Sequence, residues 1–291
     1  MNQLVNPLAI HQPKRGDSSI GSILLDMGKI TPADAERILK FQKEKGMRFG
    51  EAAQILGLIS ESDIDQVLAR QFDYPYLPAG QGNFPAGLVA AYQPFSGQVE
   101  TLRAIRSQLM LRWFTQGRKT LAIAGLAQDD SVSMFIANLA VVFSQLGEKT
   151  LLVDANLRTP RQQGIFRTQA RQGLSDILAE RVDFDTTITR IEPFVDLSVL
   201  QAGTLPPNPQ ELVSRGTFAA MNARLGHNFD VVLYDVAPFA VGADALAVAV
   251  HAGGVLLVAR KHRTRLADIH AASEQLARYG ADVVGSVLLE A

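Results

Sequence analysis

Short apolar runs punctuate the second part of the chain: LAIAG at 121–125, TLLVDA at 150–155, LSVLQAG at 197–203, DVVLYDVAP at 230–238, GGVLLVAR at 253–260 and VVGSVLLE at 283–290. They are rich in Val and Leu, show little in-and-out alternation, and most are separated by stretches of helical spacing. Strands buried on both faces have this pattern, and their alternation with helices predicts a doubly wound, mostly parallel α/β sheet. Sheets of this kind bind ligands at the carboxyl ends of their strands. Three features fall at such ends: the loop at 125–133, Asp154 after LLV, and Asp235 after VVLY.

The first part has a different rhythm. IGSILLDMGKITPADAERILKFQ and FGEAAQILGLISESDIDQVLARQ match at a constant offset of 29, pairing Gly21 with Gly50, Gly28 with Gly57, Ile30 with Ile59, Asp34 with Asp63, Leu39 with Leu68 and Gln42 with Gln71. A repeat at fixed offset predicts two copies of one unit. Each copy reads as a short helix, a turn at Gly28 or Gly57, and a second helix capped by Thr31 or Ser60, with Asp34 or Asp63 closing a capping box. The expected organisation is a polar arm at 1–18, a small all-α repeat module at 19–77, a linker rich in Pro and Gly at 78–98, and an α/β domain at 99–291.

Composition narrows the classes. A formal net charge of −1 gives no general drive toward nucleic acid or anionic lipid. The absence of cysteine removes disulfides, thiolate metal sites and cysteine nucleophiles. No apolar stretch approaches the length of a membrane span, and the start MNQLVNPLAIHQPKRGDSS lacks a signal-peptide core, so a cytoplasmic protein without direct membrane insertion is expected.

The chemistry concentrates at GLAQDDSVSMFIANLA, residues 125–140. Laid on G-x-x-x-x-G-K-[ST] with one extra residue in the loop, Gly125 keeps the first glycine, Ser131 replaces the second, Val132 replaces the lysine, and Ser133 keeps the hydroxyl. That lysine is the fixed cation on the β- and γ-phosphates, while Asp129 and Asp130 add negative charge to the loop. Ordinary ATP turnover is therefore not expected. Lys119, Lys149 and Arg158 are the candidate substitute cations, and the basic run at 260–263 with Arg265 reads as a solvated loop at a strand end.

In order, VETLRAIRSQLMLRW, the 125–140 loop, LLVDANLRTP, QAGTLPPNPQELV and DVVLYDVAPFAVGADAL resemble a bacterial tyrosine kinase domain of exopolysaccharide and capsule assembly. That family lies in the deviant P-loop group with the division and partition ATPases. The resemblance covers roughly Glu100 to Ala291 and implies a P-loop NTPase-type sheet. It implies a nucleotide site at Gly125, Ser131, Val132, Ser133, Asn156, Arg158 and Asp244, with ATP or ADP as cofactor. It further implies Mg at Ser133, Asp154 and Asp235, with Asp154 and Asp235 catalytic if the site is active. Glu100, Arg103 and Arg106 match the family's E-x-x-R-x-x-R ring-packing motif. The implied partners are copies of the chain itself in a ring and a membrane chain-length determinant protein that recruits it. Here Lys has become Val132, the loop Gly Ser131, the loop Pro Gln128, the second acidic-motif Asp Asn156, and a proline pair Ala237-Pro238.

The family's tyrosine-rich tail has no counterpart among Tyr74, Tyr76, Tyr92, Tyr234 and Tyr279. These departures favour a pseudokinase subunit, with an active autokinase as the alternative. The repeat resembles the module at the front of type II secretion and pilus ATPases, some of which bind cyclic di-GMP through Arg-Leu-Gly. Here Arg48-Phe49-Gly50 stands in one copy and Ser19-Ile20-Gly21 in the other, which leaves Gly21, Gln42, Arg48, Gly50 and Gln71 as candidate contacts beside a plain protein-docking role.

Overall fold

The computed structural model describes residues 19–71, 77 and 82–290. The chain divides into two compact units, 1–74 and 75–291.

The first unit is the repeat. Helices α1 (Ile20–Asp26) and α2 (Pro32–Lys45) form one copy, and α3 (Phe49–Ile55) and α4 (Glu61–Gln71) the other. Thr31 and Asp34 exchange the two bonds of a capping box, and Ser60 and Asp63 repeat it. Gly28 and Gly57 both have φ near +67°, at +66° and +68°, so each turn requires the left-handed conformation that glycine adopts without strain. Ile23, Leu24, Ile38, Ala52, Ala53 and Val67 fill the core between the copies.

The second unit opens with α5 (Val89–Tyr92) and α6 (Gly97–Arg112). It continues through β1 (Thr120–Gly125), α7 (Asp130–Ser144), β2 (Thr150–Asp154), α8 (Gln162–Phe166) and α9 (Leu174–Leu178). Then come β3 (Thr189–Arg190), β4 (Leu197–Leu200), α10 (Pro209–Val213) and α11 (Gly216–Asn228). It closes with β5 (Val231–Val236), α12 (Asp244–Ala252), β6 (Gly254–Arg260), α13 (Leu266–Arg278) and β7 (Asp282–Leu289).

The strands make one sheet in the order β3-β4-β2-β5-β1-β6-β7, parallel throughout except for the β3–β4 edge pair. Every residue of β1, β2 and β5 is buried, as strands covered on both faces require. Helices α5 to α7 pack one face and α9 to α13 the other. Ile136, Leu139 and Phe143 on α7 are fully buried, each worth roughly 1.5–3 kcal/mol of burial, so the helix that follows the loop is firmly seated.

The stretch expected to be a linker, 78–98, departs from that expectation in its described part. Leu88, Ala90 and Ala91 are fully buried against α7. Asn138 of α7 accepts from the Ala90 N–H at 2.8 Å and donates to the Gly87 carbonyl at 2.8 Å. One buried amide thus satisfies the backbone of a segment that has no ladder of its own.

Candidate functional site

The loop between β1 and α7 is closed by its own side chains. Asp129 caps α7, its Oδ1 accepting from the Ser131 N–H at 2.8 Å. β6 lies beside β1, and its last residue, Arg260, reaches the same point. Arg260 Nη1 donates to the two Asp129 carboxylate oxygens at 2.7 and 2.6 Å and to Ser131 Oγ at 2.8 Å. Arg263 stands 3.7 Å from the same carboxylate. Burial alone would raise the Asp129 pKa, but the Ser131 bonds and the Arg260 charge outweigh it and hold the carboxyl below its ordinary value.

A helix N-terminus attracts an anion. At this one the anion is Asp129, and its countercharge is already in place. Val132, in the lysine position, is 7% exposed and belongs to the core. A side chain at Gly125 would begin 3.1 Å from Val132 Cγ2 and 3.2 Å from the Ala127 carbonyl, so the loop turns tightly onto the valine. The cavity beside the Asp129–Arg260 pair is about 30 Å³, enough for one water.

One strand over, the acidic pair converges. Asp154 and Asp235 are register partners on β2 and β5 and are buried to 0% and 1% exposure. Asp154 Oδ2 accepts from the Arg161 and Gln162 N–H groups at 3.0 and 2.8 Å, while its Oδ1 is buried without a hydrogen-bond partner. Gln162, fully buried on α8, donates through Nε2 to Asp235 Oδ2 at 2.7 Å and to the Ser133 carbonyl at 3.0 Å. It ties β5 to the first turn of α7. Burial pushes Asp235 up to about 6, against the bonds from Gln162 and Ser133. Burial first, and the Asp235 charge second, raise Asp154 well above the carboxylate range. At neutral pH the pair is a costly place to hold two charges.

The remaining expected site residues are engaged elsewhere. Asn156 Oδ1 accepts from the Thr159 N–H at 3.1 Å and its Nδ2 donates to Thr159 Oγ1 at 3.2 Å, shaping the turn after β2. Arg158 forms a two-point ion pair with Asp244, whose side chain is 3% exposed, and that hydrogen bond raises the arginine's pKa. Lys119 precedes β1 and pairs with Asp230 at 3.6 Å, and Lys149 precedes β2; both lie at the amino ends of the strands, the opposite edge of the sheet from the loop. The cation at the loop is Arg260, from the run expected to be solvated. Its signal in the sequence was indirect: a half-buried aspartate calls for a countercharge, and β6 ends beside the loop that carries it.

On α6, Glu100 and Arg103 pair with each other, and Arg106 Nη1 donates to the Val142 carbonyl of α7 at 2.7 Å. Glu100 is the exposed member of the three. In the repeat module, side chains at Gly21 and Gly50 would begin 3.2 Å from Phe49 and Ile64, so both glycines allow close helix packing. Arg48 precedes α3 and its N–H donates to Glu51 at 3.0 Å; Gln42 is half-buried and Gln71 exposed. Tyr234 is buried with its hydroxyl donating to Asn222 Oδ1 at 2.7 Å, Tyr92 donates to the Gly82 and Phe84 carbonyls at 3.2 and 3.1 Å, and Tyr279 is exposed. Tyr74 and Tyr76 lie outside the described residues.

A resident nucleotide with Mg²⁺ would have to be held by these donors. Asp154, Asp235 and Ser133 offer the oxygen chemistry that Mg²⁺ takes, but Mg²⁺ in such sites leans on substrate phosphates as well. The loop that the resemblance assigns to phosphate holds the Asp129–Arg260 pair and the buried Val132. Among the described residues no group of three or more His, Cys, Asp or Glu side chains could hold a metal ion. The residues present do not fit a triphosphate with its metal.

No family model matches the chain. CapB of Staphylococcus aureus, named as a tyrosine-protein kinase, is 32% identical over 198 residues, covering 67% of this chain and 86% of that protein. A tyrosine-protein kinase of the cps region of Klebsiella pneumoniae is 26% identical over 258 residues, covering 86% of this chain and 35% of that protein. The chain thus spans about a third of that longer relative, and 28% of the Salmonella typhimurium tyrosine-protein kinase wzc. Among solved structures, the chimerical protein CapA2B2 superimposes with a TM-score of 0.66 at 31% identity, covering 77% of this chain and 97% of that one. The kinase domain of the Escherichia coli tyrosine kinase ETK gives a TM-score of 0.67 at 26% identity, covering 74% of this chain and 81% of that one. The septum site-determining protein MinD of Pyrococcus horikoshii, complexed with Mg-ADP, shares the fold at a TM-score of 0.52 and 19% identity, covering 58% of this chain and 69% of that one. Among the described residues no helix is long and apolar enough to cross a membrane.

Proposed function

Because the chain belongs to the bacterial tyrosine-protein kinase family, we propose that it is a kinase-fold regulatory subunit of exopolysaccharide biosynthesis and chain-length control, acting by assembly and docking in place of phosphoryl transfer. The observation that carries this reading is the closed loop, with Asp129 and Arg260 neutralising each other where phosphates would lie and Val132 packed into the core.

Phosphoryl transfer is almost entirely positioning and electrostatic stabilisation. A charge-assisted contact is worth about 1.5–3 kcal/mol in the ground state, and loss of an electrostatic donor costs more at the transition state. A γ-phosphate entering this loop would lack the lysine, meet the Asp129 carboxylate, and have to displace Arg260 from it. The Gly to Ser change at 131 adds a hydroxyl already bound to Arg260. The partners in this reading are further copies of the chain, met through the exposed Glu100 end of α6, and a membrane chain-length determinant or a paired active kinase.

The in-register Asp154–Asp235 pair, with the buried Asp154 Oδ1 free to accept, favours a second and narrower reading: residual MgADP binding without transfer. The test of the main reading is incubation of the purified chain with MgATP beside an active family member, read by phosphotyrosine detection and phosphate release. Neither signal is expected. Phosphotyrosine that disappears in Asp154→Ala would overturn the reading and restore the autokinase.

A further inference from the structure

The end of the sheet opposite β3 is an open edge. β7 pairs with β6 along its length and with no other strand among the described residues. From Val283 to Leu289 it reads VVGSVLL, with no charge and no proline. Edge strands of monomers are normally shortened, charged or covered, because their unpaired N–H and C=O groups template another strand. This one is eight residues long, and its Val283 and Leu288 are 37% and 61% exposed.

The register with β6 explains which side chains share a face. Val283 pairs with Val255 and Gly285 with Leu256, so Val284 is an extra, bulged residue. Val283 before the bulge lies on one face with Ser286 and Leu288 after it, and Gly285, Val287 and Leu289 lie on the other. An antiparallel pairing of two β7 strands about Ser286 sets Ser286 opposite its counterpart and Val283 opposite Leu288. It also sets Gly285 opposite Val287. Residues directly opposed in an antiparallel pair share a face, and these do. Each exposed Val283 is thereby covered by the other copy's Leu288. Gly285, whose would-be side chain meets nothing nearer than Leu256 at 3.8 Å, leaves room across from Val287.

The charges at the strand ends accommodate the same arrangement, because Lys261 can then meet the other copy's Asp282, and Arg118 its Glu290. One end carries Asp282 with Arg118 at 2.8 Å, the other Glu290 with Lys261 at 3.4 Å, all more than 40% exposed. Antiparallel pairing brings the Glu290–Lys261 end of one copy beside the Arg118–Asp282 end of the other, two acids with two bases. Parallel pairing gives the same tally at each end but sets every charge beside its own counterpart, Glu290 beside Glu290 and Lys261 beside Lys261. We propose that β7 is the surface through which two copies of this chain pair, antiparallel about Ser286, so that the sheet runs on from one copy into the next. The surface is independent of the closed loop and of the α6 motif.

The test is the mass of the full chain in solution, by light scattering after size exclusion or by sedimentation equilibrium. Ser286 is exposed and sits on the symmetry axis, so Ser286→Lys places two like charges face to face without disturbing the core. The wild-type chain is expected to associate in even-numbered assemblies and Ser286→Lys to halve the assembly mass, with circular dichroism unchanged. Ser286→Glu alone is expected to do the same, and an equimolar mixture of the two variants to recover the wild-type mass. A monomeric wild type, an unchanged mass for both variants, or a mixture that stays at half mass would each overturn the proposal.

Discussion

Replacement of Asp235 by Asn should stabilise the protein, although Asp235 has the chemistry of one half of a catalytic pair: a carboxylate at a strand end with a second carboxylate, Asp154, beside it. A carboxyl whose folded pKa lies above its unfolded value favours folding only while it keeps its proton. For Asp235 the contribution is whole below pH 3.8 and is lost as pH rises through about 6. A shift of that size corresponds to about 3 kcal/mol of destabilisation above pH 6, since each unit is worth 1.36 kcal/mol. Asparagine keeps an oxygen to accept from Gln162 Nε2, removes the charge, and relieves Asp154 of its neighbour. For a domain of this size that predicts a rise in Tm of roughly 6–12 °C at neutral pH, at 2–4 °C per kcal/mol. Thermal unfolding followed by circular dichroism across the acid to neutral range measures it. The wild type should lose stability between pH 3.8 and about 6 relative to the variant, and the two should converge at the acid end. A variant less stable than wild type at neutral pH would refute the reasoning, because it would mean that the carboxylate is stabilised by something its buried surroundings do not supply.

Asp129→Asn keeps the cap on α7 but leaves Arg260 facing a neutral group in a pocket where the two side chains are only 12% and 21% exposed; a loss of about 2–3 kcal/mol in urea unfolding is expected, and an unchanged midpoint would refute the pair's role. The same carboxyl, its pKa held low, contributes its stability above the ordinary carboxylate range and loses it as pH falls through its depressed value, so Asp129→Asn should flatten the acid limb of wild-type unfolding below pH 3.8. Val132→Lys should cost about 1–3 kcal/mol by forcing a long charged chain into a packed position beside Gly125. It should yield no phosphotyrosine, since Asp129, Ser131 and Asn156 remain; phosphotyrosine on that single variant would contradict the closed-loop reading.

The sheet was legible in the sequence because buried parallel strands announce themselves as Val- and Leu-rich runs, and the acidic residues ending two of them had to lie at one edge. The repeat was legible because Thr31 and Ser60 cap by contacts three residues long. What was hidden were contacts between positions far apart in the chain. Arg260 meets Asp129 across 131 residues and Gln162 meets Asp235 across 73, and no local periodicity encodes either. Arg106 matches a motif that implies packing against another copy, but here it bonds the carbonyl of the buried Val142 in the last turn of α7. The segment before α6 looked like a linker for its prolines and glycines, yet Leu88, Ala90 and Ala91 had a core to enter once Asn138 could satisfy their backbone. In each case the sequence recorded the residue type, and the tertiary partner decided what it did.

Calorimetric titration of MgATP and MgADP into the purified chain, with Asp154→Ala as control, tests the central claim most directly. A loop closed by Asp129 and Arg260 predicts no Asp154-dependent heat for MgATP. Saturable micromolar binding of MgATP that Asp154→Ala abolishes would contradict it and return the chain to the working kinases of its family.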